Sequence, residues 1–354
     1  ANKTTLRDSF SNSPDWIEIY NPNDQPFSLA DWSLTDDPQD LQKWTFPKVS
    51  IDARQFLVVF ASGENKTETD GELHTGFRLA RDGEYLGLVK PDGTIANEFK
   101  PELPALESDQ SYGVSMMGDG ETLLPVDPTN MVFLFSPTPG SINTAGAVGK
   151  AGEPIFSPPA GNFVTSFELE LSSTRANEEV RYTLDGSMPT SESTPYTEPV
   201  AIESSVMVRA RCFSQGSIPG SSVSQGYLKL GGKMHNFSSN LPVVVVQDLK
   251  NGNILPDPYQ SGYMMVHEPG GEDRRTRLTD APTLETRIGI KLRGSSTQDR
   301  PKKAFAVEAW DEHDEDKNIT PLNMPEDSDW VLYASYEYDR ALIRNAFIYE
   351  ISNQ

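Results

Sequence analysis

Five cations crowd one stretch of a strongly acidic chain: IGIKLRGSSTQDRPKKAFAVEAW carries Lys291, Arg293, Arg300, Lys302 and Lys303 around a Gly-Ser-Ser turn, in a protein of 354 residues with a formal charge of −22. Ile288, Ile290 and Leu292 alternate before the turn, and Phe305 and Val307 after it, which predicts two strands joined as a hairpin with a charged tip or inner face. Two readings of the cations stay open. They can be surface charge that keeps a strand edge from aggregating, or they can form an anion site.

Other groupings that might carry chemistry are sparse. The run Asp311, Glu312, Asp314, Glu315 and Asp316 lacks the mid-loop Gly and terminal Glu of an EF-hand loop. It reads as a solvated turn, with weak Ca²⁺ binding at Asp311, Asp314 and Asp316 as the alternative. His74, His235, His267 and His313 lie far apart, with no H-x-x-x-H or H-E-x-x-H spacing, so zinc hydrolysis has no support. There is no G-x-S-x-G elbow. The single cysteine, Cys212, excludes an internal disulfide and reads as a small apolar residue in the strand VMVRARCF. An acidic chain does not neutralise phosphates along a nucleic acid, so that class of partner is not expected. No apolar run approaches the ~20 residues of a membrane span, and the VVVV run at 243–246 reads as a buried strand. The N-terminus has no cationic-then-apolar pattern, so a secretion signal is expected to be absent or removed.

The elements that must position these groups are mostly strands. With 27 prolines, 26 glycines and little helical periodicity, the chain is expected to be mainly β. Up to about residue 143 the strands WIEIYN, FSLADWSLTD, KWTFP, QFLVVFAS, LHTGFRLA, EYLGLVK and TIANEFK alternate with turns at NPND, DDP, RDGE and PDG. Such short, closely spaced strands predict a sandwich or barrel. DWIEIYNP, LADWSLTDD, KWTFP, FLVVFAS and GEYLGLVKPDG follow one another as in the lamin-tail domain, and residues 1–143 resemble that immunoglobulin-like sandwich. The family has an apolar first strand ahead of the position of Ala1, so the chain is expected to be cut at its start. The Pro/Gly/Ala-rich stretch 144–154 reads as a linker.

A second β pattern covers 155–230, with EVRYTLDGSMPTSESTPYTEPVAI at its centre. Arg181 to Leu184 is a predicted strand, Asp185-Gly186 a turn, and Ser187 to Pro195 a polar loop anchored by Tyr196. The order Y-T-x-D-G-S-x-P-T-x-x-S-x-x-Y resembles the signature of the chitobiase/hexosaminidase C-terminal domain, a small fibronectin-like sandwich without catalytic residues of its own. Asp185 is expected to serve the turn, with a sugar site at Asp185 and Tyr196 as the alternative.

The third segment, 236–354, holds the opening hairpin between the predicted strands LPVVVVQDL and GYMMVHEP on one side and the strand in PLNMPEDSDWVLYAS on the other. A helix follows from Asp339, its predicted N-cap. The run Gly289, Arg293, Gly294, Ser295, Ser296, the strand Pro301, Lys302, Lys303, Ala304, Phe305, and the stretches D-W-V-L-Y and D-R-A-L-I-R-N resemble the start of the CotH family, spore-coat-type kinases remotely related to protein kinases. That resemblance implies an α+β fragment like an N-lobe, and ATP and Mg²⁺ in the full-length protein. Phosphoryl transfer is assisted chiefly by positioned cations and metal ions. The resemblance casts Arg293, Gly294, Ser295, Lys302, Lys303 and Glu350 as nucleotide-binding candidates. Alternation puts Lys302 on the face of Ala304 and Ala306, whose small side chains leave room for a nucleotide, and Lys303 with Phe305 and Val307, which read as core. Lys302 is therefore favoured. The acidic metal-binding segment of the family comes after the helix and is absent here, so these 354 residues alone are not expected to catalyse transfer.

The resemblances together imply a portion of a secreted or cell-surface bacterial multidomain protein whose partner is a protein acceptor or a cell-envelope polysaccharide. The alternative is a non-enzymatic adhesive or scaffolding protein that binds glycans or protein partners through its sandwiches.

Overall fold

The computed structural model describes residues 2–68, 71–114, 131–143, 146–249, 253–295, 298, 301–334 and 351. The chain divides into two compact units, 1–150 with 215–218, and 151–214 with 219–354. Among the described residues strands predominate, and the two short helices that have both ends described, Met234–Asn236 and Pro321–Asn323, are 3₁₀ turns. No described helix is long and apolar enough to cross a membrane.

In the first unit, WIEIY forms the strand Asp15–Tyr20, paired antiparallel with Phe56–Ala61. The sheet Trp44–Thr45, Ser33–Thr35, Leu86–Val89, Ile95–Phe99 supplies the facing layer. Ile17, Leu34, Trp44, Phe46, Val59 and Leu86 meet in the core between them. The asparagine of the predicted NPND turn, Asn21, is buried and donates through Nδ2 to the carbonyls of Gln25, Ile51 and Asp52. Its amide serves as a turn bracket, since a buried amide must find partners. The predicted linker stretch contains paired backbone: Gly146–Ala147 pairs with Phe133–Leu134, and Lys150 bridges to Ile218.

One ionisable group of this unit is out of place on a strand. Glu18 borders a mainly apolar cavity of about 370 Å³ lined by Ile17, Leu88, Phe99, Tyr112 and Leu134 among others. Burial pushes its carboxyl up to about 7, although the Gly140 N–H donates to it at 2.5 Å and opposes the shift. A carboxyl raised in the folded state takes up protons on folding, so its burial is harmless below the unfolded value of about 4.3 and destabilising as pH rises from there to 7. Glu18→Gln is expected to leave the melting midpoint of the first unit unchanged at pH 4. At pH 8 it raises the midpoint by roughly 2–4 °C, about 1 kcal/mol after allowance for its remaining exposure. Thermal scans at the two pH values check this, and an equal shift at both contradicts it.

The second unit begins with a sandwich. The sheet Pro154–Ser157, Phe167–Ser173, Val200–Ile202 faces the sheet Gly161–Phe163, Val223–Lys229, Val206–Phe213, Glu179–Thr183, Thr194–Pro195. Leu169, Leu171, Val180, Ile202, Val208, Ala210, Cys212 and Tyr227 fill the space between them. Cys212 is buried as its strand pattern predicts, and burial raises its thiol. An all-antiparallel sheet follows, in the order Val243–Asp248, Gln260–His267, Leu284–Arg293, Ala304–Trp310, Asp329–Leu332. The valine run is half-buried, with Val244 exposed, where a buried strand was predicted. It lies at the edge of the sheet, so a short apolar run there does not signal full burial.

Candidate functional site

The hairpin forms with the alternation its sequence predicts. Arg293 lies opposite Ala304, Lys291 opposite Ala306, and Gly289 opposite Glu308. Ile288 and Ile290 enter a core with Met264, Val307 and Ala309, against which Phe305 packs. Side chains alternate across a strand, so Gly289, Lys291, Arg293, Ala304, Ala306, Glu308 and Trp310 share the other face. Gly289 has a steric reason to be glycine: a Cβ there would stand 2.2 Å from Cζ2 of Trp310. That ring is fixed by its Nε1–H, which donates to Glu308 Oε2 at 2.7 Å.

The cations divide by what they touch. Lys291 pairs with Asp257 at 3.3 Å and lies 4.3 Å from the Tyr259 ring centroid, a cation–π contact. Tyr259 in turn stacks edge-on to Trp310 at 6.4 Å, and burial followed by the nearby Glu308 carboxylate raises its hydroxyl. At the tip Gly294 has φ 98°, its carbonyl accepts from Gln298 Nε2, and Ser295 is exposed. Lys302 and Lys303 are exposed just ahead of the Ala304 strand. Together with Pro301, Phe305, Val331, Leu332 and Tyr333 they border an open cleft of about 610 Å³. Both lysines reach this cleft, because the strand that would have sent them to opposite faces starts only at Ala304. Among the described residues, Arg293, Lys302 and Lys303 enter no ion pair. Ser296, Arg300, Glu350 and the predicted Asp339 helix cap lie outside the described residues.

The acidic run turns back toward the protein. Asp311 Oδ1 accepts from the N–H groups of His313 at 2.7 Å and Glu315 at 3.1 Å, closing the turn. Asp314 pairs with Arg287, which is 3% exposed. Glu312 bonds to Arg209 and Ser224 of the sandwich. Among the described residues no group of three or more His, Cys, Asp or Glu side chains is arranged to hold a metal ion. Asp185 accepts from the hydroxyl and N–H of Ser187, at 2.6 and 3.0 Å, and the hydroxyl first, then the N–H, hold its carboxyl below the usual range. Tyr196 anchors its loop through its N–H, which donates to the Val180 carbonyl at 2.8 Å.

One grouping escaped the sequence reading. Ser62 Oγ lies 2.9 Å from Nδ1 of His74, and Glu72 lies 3.9 Å from Nε2. These are the residue types of a nucleophilic triad. His74 is fully buried, however, and Ser62 Oγ accepts the Glu64 N–H at 3.1 Å, so the trio ties a turn and presents no nucleophile.

Comparison with protein families gives three separate matches along the chain. Residues 4–101 match the model of the Lamin Tail Domain, 158–225 that of the Chitobiase/beta-hexosaminidase C-terminal domain, and 290–354 that of the CotH kinase protein family. No curated protein matches the chain. The order of the three matches is the one the sequence motifs gave, and each is a likeness over part of the chain.

Proposed function

We propose that the chain is part of a secreted or cell-surface bacterial protein in which residues 236–354 are the phosphate-facing portion of a CotH-type, ATP- and Mg²⁺-dependent phosphoryl-transfer domain. The observation that carries the reading is the pair Lys302 and Lys303, exposed on an open cleft and without an ion pair among the described residues, in a chain that carries a net charge of −22. Uncommitted cations on a cleft suit a polyphosphate. Lys302 and Lys303 hold the phosphates by charge, with Arg293 across the hairpin opposite Ala304 and the exposed Gly294–Ser295 tip offering hydrogen-bond donors. Mg²⁺ finds no carboxylate set among the described residues, and the neutralising charge on the cleft comes from the two lysines.

Bound ATP supplies the phosphoryl group, and this segment's part is to position and neutralise it. In the protein carrying the whole domain, incubation with γ-labelled ATP is expected to label a protein acceptor. The Lys302→Ala, Lys303→Ala double variant is expected to label it at least about 100-fold more slowly, the scale of lost electrostatic stabilisation at a transferring group. Equal labelling by parent and variant overturns the reading.

A further inference from the structure

We propose that the face of the sandwich bearing the Asp185-Gly186 turn is a docking surface whose partner is the five-stranded sheet of the same chain, so that 155–230 and 236–354 fold and act as one body. Three sets of contacts converge on it. Met207 of the sandwich packs with Tyr263 and Met265 of the sheet, all three at most 3% exposed, and Val245 and Leu249 close the cluster. The Tyr263 ring packs closely on Gly226, where a Cβ would stand 2.3 Å from its Cδ1. Gly186 itself sits against Leu249 and Met207.

Charge fixes the orientation. Arg209, 2% exposed, lies in the middle of a sandwich strand. It donates to the Gly186 carbonyl at 2.8 Å, to the Glu312 carbonyl at 2.6 Å and to the Glu312 carboxylate at 3.3 Å. That carboxylate also accepts the N–H and hydroxyl of Ser224, at 2.9 and 2.7 Å. Arg287 on the sheet donates to the Asp311 carbonyl at 2.5 Å and pairs with Asp314, which holds the other side of the same turn. At a third point Asn162 Nδ2 donates to His267 Nε2 at 3.0 Å and to the Leu278 carbonyl at 2.8 Å. Buried arginines need such partners, since a charge out of water without one is strongly unfavourable.

The consequence reaches the hairpin. The turn that Glu312 latches to the sandwich directly continues the Ala304–Trp310 strand, so the sandwich holds one end of the strand whose other end begins at the lysines. Gly186 of the Asp-Gly-Ser turn then acts as a docking knob against Leu249, while Asp185 and Ser187 beside it stay exposed.

The test uses the full chain and two cycles that cross the docking surface, read by amide hydrogen exchange in the strands Val206–Phe213 and Leu284–Arg293. Glu312→Ala is expected to speed exchange at least tenfold in both strands together. Arg209→Met with Glu312→Ala is expected to add less than twofold to either single change, because both remove one contact. The second cycle guards against a variant that merely fails to fold: Gly226→Ala is expected to speed exchange in both strands, and Tyr263→Ala, by making room for the new methyl, to cancel that added effect. The rates are expected not to vary with protein concentration. Faster exchange in one strand alone, or effects that multiply across the surface, overturns the proposal, and a concentration dependence overturns it in favour of a second copy.

Discussion

Asp109→Ala is expected to lower the melting midpoint of the first unit by roughly 6–12 °C, corresponding to about 2–4 kcal/mol. The carboxylate gathers the N-terminal loop: Oδ1 accepts from the N–H groups of Lys3, Thr4 and Thr5 at 2.9, 2.8 and 3.0 Å and from the Thr5 hydroxyl at 2.9 Å, and Oδ2 from the Thr4 hydroxyl at 2.6 Å. Hydrogen bonds to a charged acceptor are the stronger kind, and removing the acceptor leaves three backbone donors without it. Burial by itself would raise this carboxyl, but the bonds from Thr4, Lys3 and Thr5 outweigh it and hold the group well below the usual range. A depressed carboxyl contributes stability that is fully present above its unfolded value, about 3.9, and is lost as pH falls toward the folded value. The difference between parent and variant is therefore expected to be full at pH 6 and to shrink below pH 4. Scanning calorimetry from pH 3 to 6 checks both the size and the slope, and a difference that is small or independent of pH contradicts this account of the loop.

The second large effect concerns the central strand of the five-stranded sheet. Ile288 is fully buried among Met264, Ile290 and Val307. Ile288→Ala is expected to destabilise the second unit by about 3–4 kcal/mol, the range for truncating a buried aliphatic side chain. Three residues on, Lys291 occupies the opposite face in an ion pair with the exposed Asp257, and Lys291→Ala is expected to change stability by less than about 1 kcal/mol. Denaturant unfolding of the two variants measures the contrast. A reversed contrast would mean that the strand presents its other face to the core, because a slip of one residue reverses every side chain, and similar losses contradict the assignment of faces.

That contrast also marks how far the sequence was readable. The alternation of Ile288, Ile290 and Leu292, answered by Phe305 and Val307, was enough to give the hairpin, its inward face and its cationic tip. The turn signals at Asn21 and Asp185 were enough to give the local turns, where their Oδ1 atoms accept the N–H groups of Asn23 and Ser187, but not the bonds of Asn21 to Ile51 and Asp52, 30 and 31 residues away. The buried arginines were not readable. Arg209 in VMVRARCF and Arg287 in LETRIGIKLR sit where alternation is compatible with exposure, and only partners distant in sequence, Glu312 for Arg209 and Asp314 for Arg287, make burial tolerable. For the same reason the acidic run read as a solvated turn: its partners lie 88 to 103 residues away for Glu312. Gly289 read as part of a family motif, while its steric cause, the ring of Trp310, lies on the neighbouring strand. The placement of Lys302 and Lys303 depended on where the Ala304 strand begins, which periodicity fixes only to within a few residues.

The latch and the cleft are therefore linked: the sandwich fixes the acidic turn, the turn fixes the Ala304–Trp310 strand, and that strand starts at the two lysines. Calorimetric titration of ATP into the protein, beside the Lys302→Ala, Lys303→Ala double variant and Lys291→Ala, tests it most directly. Binding is expected to be at least tenfold weaker for the double variant, about 1.4 kcal/mol or more, and within twofold of the parent for Lys291→Ala, whose cation is already paired. Equal affinity in the double variant and the parent contradicts it.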